Sequence, residues 1–126
     1  MEKIEKVAQP VVTVTTCLGS VVDLAAYAKE RMRNDRLEHV LFGLLEEAGE
    51  VAGKFKRWER GDYADTPNDR TRFEEDVLNE LGDVLFYLAE LAGRMGSSVD
   101  SVAERVLAKL KDRHARGVTK GTGDKR

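Results

Sequence analysis

Between residues 36 and 94, apolar side chains recur at every third or fourth position. Leu37, Val40, Leu41, Leu44, Ala48, Val51, Ala52 and Phe55 form one stripe; Phe73, Val77, Leu81, Val84, Leu88 and Leu91, widened by Leu78 and Leu85, form a second. This is the period of an α-helix that buries one side. Two such helices cannot hide their stripes alone, so the pattern calls for packing of helix on helix. Helices are expected over 36–58 and from 69 or 70 to 94. Gly61-Asp62 ends the first, and the polar Pro67-Asn68-Asp69 lies in the loop between them.

Two shorter helices complete the reading. Val21, Leu24, Ala25, Ala28 and Met32 make a one-sided stripe behind Ser20, an N-cap candidate, with Asn34-Asp35 as the next break and cap. Val99, Val102, Val106, Leu107 and Leu110 follow Ser98, the expected cap of the last helix. The fold class expected is therefore all-α: an antiparallel helical bundle of about four helices, completed by homo-oligomerisation, because so few helices would leave Leu78, Leu85 and Phe86 uncovered. The chain divides into an N-terminal arm over 1–19, extended or a short strand; a helical domain over 20–116; and a flexible basic tail over 117–126.

Within the stripes stand five acids at helical spacing, Glu46-Glu47-x-x-Glu50 and Glu80-x-x-Asp83. At about 100° per residue, Glu47 and Glu50 border the first stripe, and Glu80 and Asp83 border the second. Packing the stripes together brings these four carboxylates to one rim. Two carboxylates about 5 Å apart at an effective dielectric of 20 repel by roughly 3 kcal/mol, so the groups either take up protons or are neutralised by a cation. Oxygen ligands without cysteine or histidine favour Mg²⁺, with Mn²⁺ as a substitute, over zinc. Magnesium shares its shell readily with phosphates, so attack of an activated water on a phosphate ester or anhydride is the chemistry suggested. The plainer alternative is a solvated face on which Glu50 pairs with Lys54 at i, i+4. A di-iron carboxylate bundle needs Glu-x-x-His pairs, and neither His39 nor His114 follows a glutamate at that spacing.

Bulk properties narrow the classes further. A net charge of −2 over 126 residues gives no basic field for nucleic acid. No apolar run reaches the roughly 20 residues that span a bilayer, and residues 7–18 are not read as a signal peptide. One cysteine, Cys17, excludes an internal disulfide. A cytoplasmic setting is expected.

At the two acidic clusters the chain resembles the MazG-like nucleoside triphosphate pyrophosphohydrolases of the all-α NTP pyrophosphatase superfamily. The resemblance rests on Glu46-Glu47-Ala48-Gly49-Glu50 and Glu80-Leu81-Gly82-Asp83 in their apolar contexts, and on the tail from Arg113 to Arg126; it covers residues 37–126. It implies Mg²⁺-dependent hydrolysis of a nucleoside triphosphate between the α and β phosphates, in a homodimer or homotetramer. Carried over, it assigns Glu47, Glu50, Glu80 and Asp83 to the metal and Glu46 and Glu47 to catalysis, with Glu46 either a further ligand or the group that orients and deprotonates water. Val106 stands where small members often carry an asparagine facing the nucleotide. The gap between the motifs is long for the family and suggests an enlarged loop over 61–72.

Lys54, Lys109, Arg113, Arg116 and Lys120 are candidates to neutralise the triphosphate. Basic residues near a helix C-terminus also favour the helix dipole without any ligand. Tyr87, one turn past Asp83, and Trp58 are candidates for stacking on a base or ribose; Phe86, pointing away from the acidic edge, is expected to meet a partner subunit. Two other functions fit the same residues: a phosphoribosyl-ATP pyrophosphatase-like enzyme, and a non-enzymatic helical module whose acids bind a basic partner.

Overall fold

The computed structural model describes residues 17–118. Among them are four α-helices and no strand: α1 (Cys17–Arg31), α2 (Leu37–Glu59), α3 (Pro67–Arg94) and α4 (Val99–Ala115). The all-α expectation holds. α2 and α3 form an antiparallel hairpin, as the pairs along their seam show: Phe55 meets Phe73 near the connecting turn, and Gly43 meets Tyr87 farther from it. α1 lies along the second half of α3 in the same direction, bringing Tyr27 to Phe86 and Ala28 and Met32 onto Val40. α4 turns back after α3 and touches it lightly.

Several boundaries differ from the sequence reading, each for a local reason. α1 begins at Cys17, so Ser20 lies inside the helix rather than capping it. The expected arm therefore loses residues 17–19, and its remainder, residues 1–16, lies outside the described part, as does the tail beyond 118. Asn34 and Asp35 do not cap α2; its N-cap is Arg36, in extended conformation and without a side-chain cap. Pro67 is not a loop residue. It occupies the first turn of α3, where a missing N–H costs nothing, behind Thr66, whose hydroxyl accepts from the Asp69 N–H at 3.2 Å. The loop expected over 61–72 is accordingly residues 60–66, and residues 67–72 belong to α3. α2, α3 and α4 all stop the same way. Gly61, Gly96 and Gly117 take positive φ (78°, 69° and 69°), and the next N–H bonds back to the last turn, as Asp62 does to Arg57 at 3.0 Å. A side chain is strained at that φ, so glycine sets the stop.

The core is small. Ala28, Met32 and Val40 are buried, with Phe86, Tyr87 and Leu91 packed around them. Phe86, half-buried, packs against Tyr27 of α1 in the same chain. A second cluster, Phe55, Trp58, Tyr63 and Phe73, closes the turn end of the hairpin, with the Trp58 and Phe73 rings 4.6 Å apart. The remaining apolar surface is uncovered: Phe42 is 63 % exposed, Leu45 61 %, Leu78 65 % and Leu110 52 %.

One contact fixes how close α2 and α3 come. A Cβ added at Gly43 would lie 2.2 Å from Cε1 of Tyr87, so the ring rests directly on the α2 backbone. Gly43→Ala should therefore destabilise by about 1–3 kcal/mol through overpacking, although alanine is the better helix former by about 1 kcal/mol. Urea midpoints of the variant alone and combined with Tyr87→Ala check this; the penalty should vanish in the double variant.

Candidate metal centre

Glu47 sits one turn after Gly43 on α2, and Asp83 one turn before Tyr87 on α3. The Gly43–Tyr87 contact thereby brings their helices together at the level of the acids. Glu47, Glu80 and Asp83 each offer an oxygen, and these three oxygens lie within 4.8 Å of one another. Glu47 and Glu80 are half-buried and Asp83 is exposed, so the group opens to solvent on one side. Burial pushes the Glu47 carboxyl above its ordinary range, helped by the negative charges of Asp83, Glu80, Glu46 and Glu50. A crowd of anions that disfavours its own ionisation is the arrangement a cation relieves.

The donor set fits a hard divalent ion. It is all carboxylate, contributes three ligands from two helices, and leaves the solvent side to water or to a phosphate, as magnesium requires. The other two acids of the sequence motif stand outside this group. Glu46 and Glu50 are exposed, and an oxygen of Glu50 lies near Gly53 on its own helix, beside the Arg57 guanidinium.

Lys54 does not pair with Glu50 on its own helix. Its ammonium crosses the seam to Glu80 at 2.9 Å, with both side chains only 17 % exposed. The hydrogen bond to Glu80 raises the Lys54 pKa against the opposing effect of burial. Further along the seam, the Tyr63 hydroxyl donates to Asp76 at 2.7 Å, tying the 60–66 loop to α3. Burial pushes the Tyr87 phenol up, helped by the negative charges of Glu47, Glu46, Asp35 and Asp83. Its ring is in the packed core between α2 and α3 and edge-on to Phe86, whereas Trp58 belongs to the cluster at the turn.

The α4 cations are placed differently from one another. Lys109 is exposed, Arg113 is 5 % exposed, and Arg116 pairs with Asp112 at 2.7 Å. Lys120 lies outside the described residues. Lys54 is one of the candidates read from the sequence, but its pairing across the seam with Glu80 is not what the spacing suggests, and Tyr63 is not among the candidates. For Lys54 a signal existed, since it lies two turns beyond Glu47 on the same edge of α2; for Tyr63, in an irregular loop, there was none.

Residues 35–118 match the MazG nucleotide pyrophosphohydrolase domain, a segment that holds all three clustered carboxylates. The chain is similar to the "Gene 37 protein" of Mycobacterium phage L5, 42 % identical over 91 residues that make up 71 % of this chain and 76 % of that protein. No solved structure matches.

Proposed function

The chain belongs to the MazG nucleotide pyrophosphohydrolase family, and from that premise we propose that it hydrolyses nucleoside triphosphates, ribo or deoxy, to the monophosphate and pyrophosphate with Mg²⁺. The observation that carries this reading is the meeting of Glu47, Glu80 and Asp83 oxygens across the α2–α3 seam, within 4.8 Å, inside the matched segment. These three side chains would hold the ion, with Glu50 as the fourth acid of the motif within reach of a rotamer change. The ion supplies positive charge against the triphosphate and lowers the pKa of water.

The chain's own residues do the rest. In the proposed reaction a water oxygen bonds to the α phosphorus as the bond from that phosphorus to the bridging oxygen breaks, and pyrophosphate leaves. Glu46, exposed and adjacent to Glu47, takes the water's proton. Lys54 and the C-terminal cations Lys109, Arg113, Arg116 and Lys120 offset the charge of the phosphates, the exposed Lys109 and Arg116 foremost. Tyr87 contributes by holding the two acidic turns at their spacing, and its hydroxyl end borders the substrate.

The active form is proposed to be a homodimer or homotetramer. Support comes from the apolar side chains left on α2, α3 and α4, among them Phe42, Leu45, Leu78 and Leu110, each more than half exposed, since association takes such surface out of water. No described helix is long and apolar enough to cross a membrane.

Product analysis tests the proposal. Purified protein mixed with each NTP and dNTP plus Mg²⁺ should yield monophosphate and pyrophosphate in equal amounts with at least one of them. Orthophosphate as the product, or no turnover with any, would defeat it.

A further inference from the structure

Three acids this close need compensation even when no divalent ion is present. The Lys54 ammonium lies 2.9 Å from one of the three, Glu80, and is largely shielded from solvent. Its other charged surroundings are Asp76 on α3 and Arg57 on α2. Arg57 repels it and Asp76 attracts it, and the Tyr63 hydroxyl already donates to Asp76.

We propose that Lys54 is a tethered stand-in for the divalent cation: it holds Glu80 in the metal-free protein and must give way when the ion takes that carboxylate. The inference rests on the reading of Glu47, Glu80 and Asp83 as the metal ligands. It follows from charge and place. An ammonium and a dication drawn to one carboxylate repel each other strongly in a half-buried site. Lysine suits a part that moves, because its charge sits at the end of a flexible four-carbon stem without the fixed fork of arginine. The consequence is a weakened affinity for the bare ion. A triphosphate arriving with the ion offsets this, since its oxygens offer the displaced ammonium a new partner. A lysine that only supported the ligand would act in the opposite direction, because loss of a group that orients a metal ligand typically lowers metal affinity by about 10–100-fold.

The experiment is calorimetric titration of the full chain with Mn²⁺ alone, without nucleotide, for the wild type, Lys54→Met and Lys54→Arg, with circular dichroism to confirm helix content. Lys54→Met should bind Mn²⁺ about tenfold more tightly than wild type and unfold at a lower temperature in EDTA. Lys54→Arg, which keeps the charge, should return towards the wild-type affinity. If Lys54→Met fails to fold, Lys54→Gln serves the same comparison. Equal or weaker uptake by the neutral variants overturns the inference while leaving the metal site standing. Absence of saturable uptake by wild type and variants alike overturns the metal reading and this inference with it.

Discussion

Asp83→Asn should lower pyrophosphate release by more than about a hundredfold, because in the proposed site it removes a metal ligand itself and even outer-shell partners are typically worth 10–100-fold. The same change should leave the metal-free protein as stable as wild type, or more so. Asp83 is exposed and is one of three anions whose oxygens share 4.8 Å, so neutralising it relieves repulsion and breaks no packing. Loss of activity together with a held or raised melting temperature in EDTA separates a working site from a structural ion pair, whose disruption would lower both. Glu80→Gln should act likewise on activity. Its stability effect should differ, because Glu80 also faces Lys54. Glu50→Gln decides whether the fourth acid joins the shell: a loss matching that of Asp83→Asn puts it there, and a loss under about tenfold leaves it as a neighbour.

The second large effect is on stability and lies three turns away. Glu90 is 5 % exposed, and Arg94 answers it at 2.5 Å while donating to the carbonyls of Met32 and Asp35 at 2.5 and 2.6 Å. One guanidinium therefore ties α3 to the end of α1 and to the turn that starts α2. Arg94→Ala strands a buried carboxylate and two carbonyls, and should cost about 3–5 kcal/mol. Arg94→Lys should recover only part, because an ammonium lacks the planar fork that reaches all three acceptors. The double variant Glu90→Gln/Arg94→Met should be less damaging than Arg94→Ala, since no buried charge is left unpaired. Urea unfolding of the four proteins checks the order.

The 3.6-residue period located α2 and α3, and glycine placed their ends, because both signals are local. The meeting of Glu47, Glu80 and Asp83 was legible too, since stripe edges on an antiparallel pair must face each other. What the sequence hid was contact made across chain distance. Lys54 has Glu50 at i, i+4 and Glu80 across the seam, and no periodicity ranks one partner above the other. Arg94 reads as an ordinary basic residue at a helix C-terminus, yet it is spent on Glu90 and α1. Phe86 reads as surplus apolar surface until α1 is laid over it. Pro67 suggested a loop only because proline is equally at home before a helix and at its first position.

The aromatic ring seated on Gly43 has a consequence for the acids one turn away. It acts as a spacer between the α2 and α3 backbones, so a side chain at position 43 that pushed the phenol back would also move the turns that carry Glu47 and Asp83. The spacing of the carboxylates is thus inherited from a notch in the backbone.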